Sequence, residues 1–152
     1  MIKGIARALV VLFAIAAFSP AQAQERGSAD EAMALAKKAV ELVKSAGQDK
    51  AIATFNDPNG GFQVKDLYVF VSDLGSGLTL AHKNPGLIGK DLRILKDADG
   101  KAFGVEMVQV VTEKGSGWVD YKWVNAQTKK IEPKSSYVEK VGNIYVGVGI
   151  YK

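Results

Sequence analysis

The chain has 152 residues, with 20 Lys and Arg against 16 Asp and Glu, one histidine and no cysteine. The missing cysteine excludes thiol nucleophiles, thiolate metal sites, disulfides and dithiol redox chemistry, and the lone His82 excludes a multi-histidine metal centre within one chain. Basic and acidic residues are interspersed without a block that would neutralise a phosphate backbone, so the formal charge of +4 is weak support for nucleic-acid binding.

The amino terminus reads as an export signal. Lys3 and Arg7 give a positive start, the eleven side chains from Ala8 to Phe18 are all apolar, and Ser19-Pro20 break the run. Ala21-Gln22-Ala23 then supplies the small-x-small exit that a signal peptidase accepts. A membrane-spanning helix needs roughly 20 apolar residues, which this run does not reach. Cleavage after Ala23 is therefore expected, with no membrane span left behind. Of the 152 residues, 129 remain from Gln24 to Lys152, with 18 basic against 16 acidic. That length suits one domain with a sizeable core and leaves no room for a second. A periplasmic or secreted location follows, and export argues further against a nucleic-acid partner.

Ser28 and Glu31 have the spacing of a capping box, and two apolar stripes follow at helical spacing: Met33, Ala36, Val40, Val43 and Leu35, Ala39, Leu42, Ala46. One helix of about five turns with a greasy side is predicted, stopped at Gly47. A short second helix over Asp49–Phe55 precedes the breaker Asp57-Pro58-Asn59-Gly60-Gly61. Asp66–Ser72 and Leu78–His82 read as a hairpin around Asp73-Leu74-Gly75-Ser76-Gly77, and Leu87–Leu95 as a covering loop with hydrophobic pegs. A short helix is placed near Ala102–Val110. Trp118–Val124 alternates, with Val119, Tyr121 and Trp123 on one side and Trp118, Asp120, Lys122 and Val124 on the other. Ser135–Val141 and Ile144–Tyr151 form a final hairpin around Gly142-Asn143. Gly147 and Gly149 in the last strand leave room on one sheet face or mark strong twist. The sum is an α+β domain, a long N-terminal helix packed on a five-stranded antiparallel sheet.

Several segments in order carry a resemblance. Asp66-Leu67-Tyr68-Val69-Phe70-Val71, Gly77, Leu80-Ala81-His82 and Gly89-Lys90-Asp91-Leu92 are followed by Gly117-Trp118-Val119-Asp120-Tyr121-Lys122-Trp123 and Lys134-Ser135-Ser136-Tyr137-Val138. Over roughly residues 28–151 the chain resembles the single Cache domains (the second type), extracytoplasmic sensory modules with a PAS-like sheet and a long amino-terminal helix. The resemblance implies a pocket on one sheet face for a small ligand, often a short carboxylate, with no catalysis and no cofactor. Members of that family usually sit between membrane segments and pass a signal to a kinase or chemoreceptor module. Without either, this chain reads as a stand-alone secreted version.

Tyr121 and Trp123 share a sheet face by the two-residue period. Lys134 and Tyr137 cannot both point inward under strict alternation, unless Lys134, after Pro133, precedes the regular strand. Aromatic walls with one ammonium and one or two hydroxyls suit a small organic anion, whose body the rings desolvate and whose carboxylate takes a charge-assisted hydrogen bond. The candidate ligand residues are Tyr121, Trp123, Lys134 and Tyr137, with His82, Tyr68 and Trp118 as additions. The same aromatics also fit as core and rim residues of an ordinary sheet. His82, at a strand end, is a donor to a carboxylate or a satisfied structural histidine.

Catalysis finds little footing. A Ser-His-Asp arrangement would have to use His82, and no Gly-x-Ser-x-Gly elbow accompanies it. Asp97-Ala98-Asp99-Gly100 starts like a calcium loop but lacks the later ligands, so it reads as a turn. A second reading is an envelope interaction module that has lost its ligand, docking on a membrane sensor protein or self-associating through the long helix.

Overall fold

In the computed structural model, which describes residues 25–152, the chain opens on a capped helix. The signal peptide expected over residues 1–23 lies outside the described residues. The first helix, α1 (Ala29–Ala46), carries the full capping box: Ser28 Oγ accepts from the Glu31 amide, and Glu31 Oε2 accepts from the Ser28 amide at 2.8 Å. Its buried side runs Ala32, Leu35, Ala36, Ala39, Val40, Val43, and Gly47 at φ +86° ends it. The second helix, α2 (Gln48–Asn56), buries Ala51 and Phe55. Among the described residues no helix is long and apolar enough to cross a membrane.

Strands β2 (Leu67–Asp73), β3 (Thr79–Ala81), β4 (Ser116–Val124), β5 (Ile131–Val141) and β6 (Ile144–Tyr151) are the five expected from sequence. Their order across the sheet is β3-β2-β6-β5-β4, antiparallel throughout. A sixth, β1 (Gln63–Val64), pairs with the start of β2 through a tight turn at Lys65, whose φ is +58°. Two residues carry no periodic signal, so β1 could not be read in advance. The helix expected over residues 102–110 is α3 (Phe103–Lys114), one turn longer and ended by Gly115 at φ +80°. One short 3-10 turn, Pro85–Leu87, leads into the covering loop, and a second, Leu92–Ile94, lies within it.

Two-residue alternation divides the sheet into faces. Val69, Val71, Val146, Val148 and Tyr137 meet α1 and α2 on one side. Tyr68, Phe70, Val119, Tyr121, Val138 and Tyr145 meet α3 and Leu92 on the other. On that second face Gly147 and Gly149 do leave room. A Cβ at Gly147 would run into the Phe70 ring, and one at Gly149 into the Lys134 stem and Ser136 Oγ. The gap is therefore a passage across β6, filled by one ring and one lysine.

Candidate functional site

Lys134 stands on β5 opposite Tyr121 of β4 and Tyr151 of β6. Its stem crosses β6 over Gly149, and Nζ hydrogen-bonds the Tyr68 hydroxyl of β2 at 2.8 Å. Nζ also lies 4.4 Å from the Tyr68 ring centroid and 4.8 Å from that of Tyr151. The residue is 1% exposed, and no carboxylate among the described residues forms an ion pair with it. Aromatic faces stabilise an ammonium by roughly 1–2 kcal/mol when water is excluded. Burial outweighs this: together with the like charge of Lys83, and against the attraction of Asp66, it brings the Lys134 pKa down to about 7.

Tyr68 lines a cleft of about 640 Å³ at the carboxyl end of β3, together with His82, Lys83, Trp123, Lys129 and Tyr151. Among the described residues no carboxylate lines this cleft. Tyr151 donates to the Val124 carbonyl at 3.0 Å, and Tyr68 accepts from Lys134, so the Tyr68 proton can go to the neighbouring Tyr151 oxygen or to an acceptor in the cleft. His82 leaves β3 with its backbone amide held by Asn56 Oδ1, and its Nδ1 accepts the Asn84 amide at 2.9 Å. The neutral ring therefore carries its proton on Nε2. Burial first, and the Lys134 charge second, lower its pKa to about 4, so His82 is neutral at physiological pH.

Behind the cleft is a void of only about 10 Å³, among Phe70, Phe103, Met107 and Tyr121. That is barely the space of one water. His82 and Trp123 line both spaces and form the partition between them, their ring centroids 6.4 Å apart. Tyr121 sits behind it, stacked on Phe103 at 4.6 Å, with its hydroxyl on Ser136 Oγ.

A concave site with aromatic walls, a few donors and a cation behind one wall is suited to a small ligand. The Single Cache domain 2 family model matches residues 9–152. This chain belongs to that family. Among curated proteins it is similar to the methyl-accepting chemotaxis protein McpP of Pseudomonas putida, 32% identical over 88 residues. The matched part is 57% of this chain but only 16% of that receptor, so the chain spans a small fraction of its relative. Among solved structures, a Cache chemosensory domain described for carboxylic acid recognition superposes with a TM-score of 0.67 at 27% identity, covering 80% of this chain and 91% of that one. A periplasmic sensor domain of a chemotaxis protein gives 0.61 at 27%, covering 80% of this chain and 88% of that one. A Vibrio parahaemolyticus methyl-accepting chemotaxis protein gives 0.68 at 23%, covering 80% and 86%, a likeness that concerns the fold.

Within this Cache domain the sequence-predicted residues divide. Tyr68, His82 and Trp123 line the cleft; Lys134 lies one hydrogen bond behind it; Tyr121 backs the inner void. Tyr137 and Trp118 are on the opposite face, their rings 5.6 Å apart, Tyr137 packed with the α1 core. The expectation that Lys134 precedes its strand fails, because β5 begins at Ile131 and alternation then sends Lys134 and Tyr137 to opposite sides. Sequence reasoning missed Tyr151, Lys83 and Lys129 as cleft residues. Tyr151 was within reach, since Gly147, Gly149 and Tyr151 share one face at a period of two.

Proposed function

We propose that this Cache domain is an extracytoplasmic, non-catalytic binding module whose cleft captures a small organic acid. The observation that carries the reading is Lys134, a buried ammonium without a carboxylate partner whose hydrogen bond ends on the Tyr68 hydroxyl at the cleft wall. A ligand carboxylate at that wall would receive the Tyr68 proton, with the positive charge directly behind it, and Trp123 and Tyr151 would desolvate its carbon body. His82 Nε2–H is a further donor that stays neutral across the physiological range. Tyr137 and Trp118 are left out of the site, and Tyr121 supports it from behind. The likeness to a domain described for carboxylic acid recognition supports the ligand class. For location, the reading includes removal of residues 1–23, and an intact mass beginning at Gln24 tests it.

The binding test is a thermal-shift screen of residues 24–152 against mono- and dicarboxylates of two to six carbons, the matching amides, amines and purines. Native-state binding stabilises by RT ln(1 + [L]/Kd), about 2.7 kcal/mol at a hundredfold excess. Shifts confined to the carboxylates are expected. A flat screen on a cooperatively melting sample would reject the reading and favour a domain that acts through a protein partner.

A further inference from the structure

Lys134 poses a question that a simple anion site does not answer. The Lys134 amino group behind the cleft wall has two tyrosine faces and one hydroxyl around it, and no carboxylate among the described residues forms an ion pair with it. The groups facing it from every side are few. From β2 and the turn before it come Tyr68 and Asp66; from β6, Tyr151; from β4, its cross-strand partner Tyr121; from the loop after β3, His82 and Lys83. Asp66 is the lone acid of this group, buried, with Oδ1 committed to the Gly27 amide at 2.6 Å. Three of the others, Tyr68, Tyr121 and Tyr151, are phenols whose burial pushes them toward staying neutral.

The bond between Lys134 and Tyr68 can run in either direction, with different consequences for the cleft. When Nζ is protonated it donates to the Tyr68 oxygen, and the Tyr68 O–H is left to point at a ligand. When Nζ is a neutral amine it accepts the Tyr68 proton, and the oxygen turns only lone pairs toward the cleft. The first arrangement attracts a carboxylate and the second repels it.

We propose that carboxylate capture by this domain is coupled to uptake of one proton by Lys134, with the Lys134–Tyr68 hydrogen bond reversing direction as the ligand arrives. The inference rests on the carboxylate reading of the cleft and adds its regulation. The balance is simple: a proton from solvent adds to the Nζ lone pair, Tyr68 keeps its own proton, and the carboxylate accepts it as a hydrogen bond. No covalent bond to the ligand forms. The near-neutral pKa of Lys134 places the change within reach of ordinary envelope pH. The anion, separated from the ammonium by the single Tyr68 hydroxyl in a water-poor site, favours the charged form. Affinity is therefore highest at or below neutral pH and declines as the free protein loses its Lys134 proton, by up to tenfold per pH unit.

The test follows the Lys134 13Cε resonance through a pH titration, with Lys134→Met assigning the signal. It is run on free protein and again with saturating acetate, and acetate affinity is measured at pH 7, 8 and 9. A midpoint within about one unit of 7 in the free protein, moved upward by acetate, is expected. Acetate should also bind close to tenfold more weakly for each unit above about 8. Tyr68→Phe, which keeps the ring but removes the relay hydroxyl, should weaken acetate binding and flatten its pH dependence. A free-protein midpoint near the ordinary lysine value of about 10.4, or acetate affinity that is constant from pH 7 to 9, overturns the coupling and leaves the carboxylate site standing. Acetate that perturbs no cleft resonance overturns the carboxylate reading itself, and the free-protein midpoint then reports on Lys134 alone.

Discussion

The two faces of one sheet use the same alternation for opposite ends. On the α1 side, Val69, Val71, Val146 and Val148 meet Ala36, Ala39, Val40 and Phe55, an aliphatic and aromatic layer with little to titrate. On the other side, the intervening positions of β2 and β6 present Tyr68, Tyr145 and Tyr151, β5 adds Lys134 and Ser136, and Gly147 and Gly149 open a passage among them. Hydrophobic burial of about 25 cal/mol per Å² secures the first face. The second keeps a cation and several hydroxyls out of water, at a cost the first must offset. The lesson is a division of labour: changes on the α1 face should move stability with little effect on ligand affinity, and changes on the cleft face should do the reverse.

The largest expected break falls on the α1 side. Phe55 is 1% exposed and edge-packed on Phe62 at 4.8 Å. Phe55→Ala should cost about 3–5 kcal/mol in denaturant unfolding. Carboxylate affinity of the folded fraction should stay unchanged, and a matching loss of affinity would collapse the distinction between faces.

Next comes pH. The unfolded His82 takes a proton near pH 6.5, whereas the buried ring resists one until about 4. Below 6.5 the unfolded chain thus holds more protons, so stability falls as pH drops from 6.5 to 4, by up to about 3 kcal/mol. Lys134 titrates in another window with the same sign. Its folded pKa of about 7 lies below the unfolded value, so its contribution rises as pH climbs from 7 toward 10. Melting curves of wild type against His82→Phe and Lys134→Met should show each slope vanish in its own window. A slope that survives its variant would assign the effect to another group.

Smaller still is Gly149→Ala, whose Cβ would land on the Lys134 stem and Ser136 Oγ. Overpacking of this kind costs about 1–3 kcal/mol, and displacing Lys134 should weaken carboxylate binding as well. The least effect belongs to Tyr137→Phe, which removes a part-exposed hydrogen bond to Glu139 at 3.0 Å. Stability should change by about 0.5 kcal/mol or less, and affinity should not change. A clear loss of affinity would return Tyr137 to the site.

The helices and the five main strands were legible because their signals are local: the Ser28–Glu31 box, the apolar stripes, the Gly142-Asn143 turn. Which face Lys134 occupies was not, because Pro133 looks like a strand boundary. In the fold, Pro133 sits where β6 ends. Its carbonyl accepts the Lys152 amide at 3.0 Å, and the Lys152 carbonyl, which a non-proline residue would serve, takes Arg26 Nη1 at 3.1 Å instead. The ladder with β4, which pairs Lys122, Trp123 and Val124 with Pro133, Glu132 and Ile131, carries β5 past the proline. The Lys134–Tyr68 bond was hidden in the same way, since it depends on a glycine in a third strand to let the lysine cross.

The most direct test of the central claim titrates wild type and Lys134→Met side by side with the carboxylates that raise the wild-type melting temperature. The variant should fold at least as stably at neutral pH, since a buried unpaired charge has been replaced by a methionine of similar bulk. Its carboxylate affinity should be lower by at least about tenfold, the scale of one positive charge removed from behind the Tyr68 hydroxyl in a water-poor site. Equal affinity in the two proteins would contradict it and remove the buried ammonium from the explanation of this cleft.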